Sequence, residues 1–311
     1  MPQILSSQPF KPRLNKSNVR QKKYLMYLSF ILLTMLNLGV FCATDEANSQ
    51  IEVQILPSSP ALGDTISVKI KKLEGAKKPP KVFFDKSKLP IFNLSGFYYR
   101  SLIPISANLK PGKHELEVFY KGLGKKVDLT IQKTKYPIEN LTLRKEVASL
   151  TASRLERQLV VKAINTQSDL KLWRGKFALP SSGKMSTIYG IKRRVNGVID
   201  PDYFHKGLDF AAGEGSNIIA PEGGKIILVG QEPNGFRANG NCIFIDHGHG
   251  VISGYLHLSK LLVMEGNLVN KGQIIGKVGS TGIASGPHLH WGVYVLGKTV
   301  DPLVWTRTTI E

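Results

Sequence analysis

Cysteine is nearly absent from this 311-residue chain: only Cys42 and Cys242 are present, and the first lies in an apolar run near the N-terminus. The part beyond that run has no internal disulfide to stabilise it, so its stability must come from core burial or a bound metal. Acidic residues are also scarce, 23 against 42 lysines and arginines, for a formal net charge of +19. Such an excess favours acidic polymers or surfaces as partners. No Lys/Arg-rich helix with interleaved aromatics and no Cys/His finger spacing accompanies it, which argues against nucleic acid. Charge is missing altogether over 24–44, a stretch about as long as a membrane-spanning helix requires. It follows Lys11, Arg13, Lys16, Arg20, Lys22 and Lys23, so we expect an export signal whose basic side stays in the cytoplasm. Residues 24–43 would be a cleaved signal or an inner-membrane anchor, with the remainder in the cell envelope.

Past a basic segment, apolar run and spacer over 1–50, residues 51–135 carry the runs IEVQIL, TISVKI, KVFFD, YRSLIPIS, HELEVFY and VDLTIQ. Their period-two alternation and regular spacing predict a small immunoglobulin-like β-sandwich, with His114 a solvent-facing strand residue. Residues 136–170 change period: Val147, Leu150, Leu155, Leu159 and Val160 recur at helical steps. This predicts a helical connector whose charges form a solvated face. Most of the 30 glycines fall in 171–311, around the strand-like runs KIILVG, CIFIDHG, GVISGYLHL and GQIIGKVG. Tight hairpins need residues without a Cβ, so this part is expected to be a compact antiparallel β-domain with a groove. The fold class is mainly β.

Six of the seven histidines lie between His205 and His290, a density that packing does not explain. Imidazole is the commonest protein ligand for zinc and suits proton transfer near neutral pH. In HKGLD an extended strand would turn His205 and Asp209 to one side, with Leu208 in the core and Gly207 leaving room for an ion or substrate. In HLH the same period puts His288 and His290 on one face. His257, in GYLHLS, sits in an apolar strand where an unpartnered ring is costly. Two imidazole nitrogens and one carboxylate oxygen from this set would make a three-ligand site, leaving a fourth tetrahedral position for water, as catalytic zinc requires. The two remaining histidines would serve as base and as stabiliser of a charged carbonyl oxygen. His247 and His249, in DHGHG, are assigned to a hairpin turn, and Cys242 to the core.

At these residues the sequence resembles the lysostaphin/LytM-type zinc metalloendopeptidases. Their pattern of His-x-x-x-Asp, Tyr-x-His-Leu and Gly-Pro-His-Leu-His-aromatic stands here as His205 to Asp209, Tyr255-Leu256-His257-Leu258 and Gly286-Pro287-His288-Leu289-His290-Trp291. The resemblance spans about 177–302. It implies one zinc ion per chain on His205, Asp209 and His290, with His257 and His288 the catalytic pair. It also implies hydrolysis of peptide cross-links in bacterial peptidoglycan. The family's usual Gly-x-Pro-Val is Gly215-Ser216-Asn217-Ile218 here, and Gly292 follows the aromatic where an acid is common; neither position binds metal. A different class, a non-enzymatic regulator that activates a cell-wall amidase through the same fold, is opposed by the complete ligand set.

Overall fold

Alternating apolar and polar residues build eight strands before the helical region: β1 (Val53–Leu56), β2 (Thr65–Lys71), β3 (Lys81–Phe84), β4 (Ser87–Leu89), β5 (Phe92–Asn93), β6 (Tyr98–Pro104), β7 (Gly112–Tyr120) and β8 (Leu123–Ile131). They form two antiparallel sheets, ordered β1-β2-β6-β5 and β4-β3-β7-β8. Ile66, Val68 and Ile70 of β2 meet Val82 of β3 and Leu116 and Val118 of β7 in one buried core. Each side chain contributes about 1.5–3 kcal/mol of transfer free energy. The apolar runs anticipate six of these strands. The short β4 and β5 escape, because two or three residues carry no period. This computed structural model describes residues 51–94, 96–200 and 202–310; the expected membrane segment at 24–43 lies outside them. Among the described residues no helix is long and apolar enough to cross a membrane.

The rest of the chain adds β9 (Ile138–Leu141), β10 (Lys184–Thr187), β11 (Lys192–Val195), β12 (Val198–Ile199), β13 (Leu208–Ala211), β14 (Asn217–Ile219), β15 (Gly224–Gly230), β16 (Asn241–Gly248), β17 (Val251–Leu261), β18 (Leu268–Val269), β19 (Ile274–Val278), β20 (His288–Val295) and β21 (Lys298–Val300). The helices are α1 (Lys145–Ala148), α2 (Arg154–Ile164) and α3 (Pro302–Arg307). The main sheet runs β10-β13-β20-β17-β16-β15-β18, with β14, β19 and β21 attached to it. Its core centres on Trp173, Tyr255, Trp291 and Trp305, all essentially inaccessible.

Two expectations for the connector need correction. Within the helical connector expected over 136–170, Ile138–Leu141 is a strand that pairs in parallel with β11. Four residues cannot separate the two periods, and the partner strand decides the outcome. The charges of α2 are not all solvated either, since Glu156 is buried. The apolar side of α2 packs Leu159, Val160 and Ala163 against Phe236, Phe244 and Leu256, while Leu155 stays half exposed.

Strand β6 faces two cores. Ile103 points into the sandwich and Leu102 into the core of the C-terminal sheet, as a period of two demands. Arg100, on the Leu102 side, is buried with Nη2 2.6 Å from His249 Nδ1 and its guanidinium carbon 4.9 Å from the Trp173 ring centre. Phe92 stacks on the same imidazole at 4.5 Å. The other ring nitrogen, Nε2, is 2.8 Å from the Asp169 carbonyl. A carbonyl only accepts, so Nε2 carries the proton, Nδ1 accepts from Arg100, and the ring is neutral.

This arrangement sets a pH dependence. Burial pushes His247 down to about 4, and burial followed by the Arg100 charge does the same to His249. Unfolded rings bind a proton near pH 6.5. The stabilisation is therefore complete above about pH 6.5 and is lost as pH falls towards 4, at about 3 kcal/mol per ring. Asp64 and Asp301, raised by burial, act in the opposite sense at the acid end. Urea midpoints of chelator-treated protein should fall over this window. His249→Asn, which keeps an acceptor for Arg100 but does not titrate, should flatten the fall.

Candidate metal centre

Antiparallel pairing of β13 with β20 sets Asp209 directly opposite His290, and Ala211 opposite His288. Directly opposed residues have neighbouring Cβ atoms, so the register alone brings a carboxylate and an imidazole together. His205 does not reach the same point as a strand residue, contrary to the four-apart argument. It precedes β13 in irregular backbone, held where its N–H donates to Ile191 O (2.7 Å) and its carbonyl accepts from Gly190 N (2.8 Å). Its ring nitrogen Nδ1 donates to Ile188 O at 2.9 Å. In the neutral tautomer this bond leaves Nε2 as the acceptor nitrogen.

That Nε2 lies 2.9 Å from Asp209 Oδ1 and 3.0 Å from His290 Nδ1, and the third side, His290 Nδ1 to Asp209 Oδ1, is 2.8 Å. Two acceptors facing each other at 2.9 Å are stable only around a shared proton or a cation. Burial alone would raise the Asp209 carboxyl, but the two imidazoles against Oδ1 hold it far below the usual carboxylate range. The same burial pushes His290 down to about 4. Two nitrogens and one oxygen converging in a buried triangle form a donor set that fits zinc with an open coordination position. Gly207 serves a different purpose from the one expected. A Cβ there would lie 2.4 Å from Trp291 O and 2.8 Å from His290 Nε2, so its absence makes room for the ligand ring and not for ion or substrate.

The other oxygen of Asp209 is also occupied. Arg193 Nη2 donates to Oδ2 at 2.6 Å, while Arg193 Nε donates to Glu139 Oε2 at 3.0 Å. Thus β9 and β11 together fix the orientation of the carboxylate. In a chain this basic, nothing in the sequence distinguishes Arg193 from its neighbours; the strand pairing reveals its place.

His257 enters the cleft through an irregularity. Between the pairs Asn241↔Leu258 and Ile243↔Tyr255, β17 has one residue more than β16, and His257 adopts φ +67°. A bulge of this kind redirects a side chain at the expense of local strain. The His257 ring centre lies 4.9 Å from that of His288 and 6.2 Å from that of His290. Nδ1 of His257 donates to Thr281 O and Nδ1 of His288 to Gly286 O, each at 2.8 Å, which leaves Nε2 as the acceptor nitrogen in the neutral tautomer of either ring. Burial, then His288 and His290, push His257 down to about 3.

The cluster stands between two cavities. One, of about 1100 Å³, is walled by Asp85 and Lys88 of the sandwich, Arg157 of α2, and Lys206 and Lys298. The second, of about 720 Å³, is walled by Leu141, Val198 and Pro287. His257 and His290 border both.

The remaining histidines and Cys242 lie elsewhere. His249 occupies the β16–β17 turn, but His247 is a strand residue hydrogen-bonded to Gly223 O and Ser253 Oγ. Cys242 is buried within β16, its thiol pushed up to about 12 by burial. His114, on β7, bonds Asp85 and Lys110 O.

Comparison with known proteins agrees with this geometry. The family model described as Peptidase family M23 matches residues 203–302. Over 112 residues, 36% of this chain and 25% of the other, the sequence is 39% identical to a Vibrio cholerae protein named peptidoglycan DD-endopeptidase ShyB. Over 138 residues, 44% of this chain and 32% of the other, it is 34% identical to a protein of Escherichia coli named murein hydrolase activator NlpD. The chain thus spans about a quarter to a third of the length of these curated relatives. A crystal structure from Pseudomonas aeruginosa described as a peptidase M23 is similar with a TM-score of 0.58 and 29% identity, covering 80% of this chain and 95% of that one. That share is too large for the C-terminal sheet alone, so the likeness extends into the sandwich. Residues 203–302 therefore match peptidase family M23, the lysostaphin/LytM-type family that the motifs resemble.

Proposed function

We propose that this protein is a zinc-dependent endopeptidase that hydrolyses peptide cross-links of bacterial peptidoglycan. His205, Asp209 and His290 would hold one zinc ion, with His257 and His288 the catalytic pair. The observation that carries the reading is the buried triangle of His205 Nε2, Asp209 Oδ1 and His290 Nδ1, with sides of 2.8–3.0 Å, beside two imidazoles whose Nε2 atoms are the acceptor nitrogens of the neutral tautomer. When bound, zinc supplies Lewis acidity towards a peptide carbonyl and a nucleophile at neutral pH. The backbone carbonyls of Thr281 and Gly286 hold His257 and His288 in the tautomer that can accept a proton at Nε2. A ring that has taken the proton becomes the donor needed by the leaving amine or by a charged carbonyl oxygen. Cavities on both sides of the cluster leave room for peptide on either side of the scissile bond, and the basic side chains of the larger one suit an anionic wall polymer.

The similarity to a DD-endopeptidase supports this reading. The similarity to a hydrolase activator supports the second one, a regulator without chemistry of its own, but a full complement of ligand and proton-transfer residues favours hydrolysis. Zinc-loaded protein incubated with purified peptidoglycan should release uncross-linked muropeptides, and a chelator should stop the release. Absence of hydrolysis with zinc confirmed bound would remove the proposal. Arg193→Ala should weaken zinc binding about 10- to 100-fold, the usual effect of losing a group that orients a ligand, measured by competition with a chromophoric chelator.

The strand orders β1-β2-β6-β5 and β4-β3-β7-β8 support an immunoglobulin-like reading of the N-terminal sandwich. The charge-free run at 24–43 behind six basic residues supports export, with the catalytic region in the cell envelope.

A further inference from the structure

The N-terminus of α2 carries a capping box: Ser153 Oγ accepts from Glu156 N at 3.0 Å, and Glu156 Oε2 accepts from Ser153 N at 3.3 Å. A capping glutamate of this kind serves one backbone N–H. Glu156 does more, and it does so while only 1% exposed. Its Oε2 also accepts from Arg237 N at 2.9 Å and Ala238 N at 3.1 Å, and its Oε1 accepts from Asn239 N at 2.7 Å. Burying a carboxylate is costly unless hydrogen bonds satisfy it, and here three of the four backbone N–H groups that Glu156 accepts from belong to one loop, 237–239.

That loop leads to His257. Asn239 O accepts the His257 N–H at 3.0 Å, and Ala238 O accepts from Ile283 N at 2.9 Å. The following residue, Gly240 at φ +63°, presses on Thr281 so closely that a Cβ would come within 2.5 Å of its carbonyl carbon. Asn241 N donates to Thr281 Oγ1 at 3.0 Å. Thr281 O is the acceptor for His257 Nδ1. The backbone N–H and the ring of His257 are therefore both anchored on carbonyls that the 237–241 segment holds in place. His257 needs such anchoring because φ +67° is unfavourable for a residue with a side chain.

We propose that Glu156 is a positioning residue for His257, so that α2 is part of the catalytic unit. The proposal rests on the assignment of His257 to proton transfer made above. It is tested in the full chain loaded with zinc, using a soluble cross-linked muropeptide dimer. Glu156→Gln keeps the shape but turns an NH₂ towards backbone donors, so at least one loop bond is lost. Its kcat should fall about 10- to 100-fold, with KM and zinc stoichiometry unchanged. The downfield proton resonance of the His257 Nδ1–H, assigned by its disappearance in His257→Ala, should broaden or vanish. Glu156→Asp, which keeps the charge but is one methylene shorter, should show a smaller loss in both readouts and covers the case in which the glutamine variant fails to fold. Ser153→Ala removes the cap but not the loop bonds and should leave kcat and the resonance intact. Wild-type kcat with an intact resonance in a folded, zinc-loaded Glu156→Gln or Glu156→Asp protein overturns the proposal. If the wild type itself releases no peptide, the catalytic reading has failed, whereas the response of the resonance to Glu156 still decides the positioning role.

Discussion

Asp209→Ala protein should leave purification with far less than one zinc per chain and without measurable hydrolysis. The carboxylate supplies the only oxygen in the triangle and the only negative charge within it. Structural zinc sites with four ligands bind with about 10–16 kcal/mol, so one ligand is worth roughly 3–4 kcal/mol, or about 10²- to 10³-fold in affinity. The variant also strips Arg193 of the acceptor at 2.6 Å, leaving a largely buried guanidinium with Glu139 alone. Asp209→Asn is the informative control: it keeps the volume and one oxygen but not the charge, and should lie between wild type and alanine. Metal analysis and thermal melting of all three decide the matter. Stoichiometric zinc on the alanine variant would show that the triangle is not the metal site.

His257→Ala and His288→Ala should do the reverse, retaining zinc and losing turnover. Neither ring belongs to the triangle, and the His257 ring centre is 6.2 Å from that of His290. Loss of a general acid or base costs about 10²- to 10⁴-fold in rate, and here it should fall on kcat. The same substitutions separate the two functional readings, because an activator needs the surface of the groove and not its proton-transfer groups. Cells that rely on this protein should fail with His288→Ala. Their survival would support the regulator instead.

The three side chains that converge in the triangle were legible because metal-binding chemistry restricts residue type: few side chains other than His and Asp could hold such an ion, and their order along the chain is distinctive. What holds them was not legible. Asp209 and His290 meet through the β13–β20 register, which no local pattern states. His205 is placed by backbone bonds to residues 190 and 191 outside any strand, where period-two reasoning does not apply. His257 depends on one extra residue in β17, and Arg193, Glu139 and Glu156 look like surface charges until their partners are known. Runs of alternating apolar residues were found as strands, whereas β9 was missed because IENL lacks that apolar alternation and becomes a strand through its pairing with β11.

The two-faced character of β6 bears on how far the molecule can be taken apart. With Ile103 committed to one core and Leu102 to the other, a cut at the end of the sandwich would remove Leu102 from the core that holds Trp173 and Trp305, and the Arg100 guanidinium from the face of Trp173. The bond from Trp305 Nε1 to Thr65 Oγ1 would go with it. A fragment beginning after the connector would thus inherit a sticky face as well as the missing Glu156, and insolubility or weak activity in it would reflect amputation of shared structure and not the quality of the metal site.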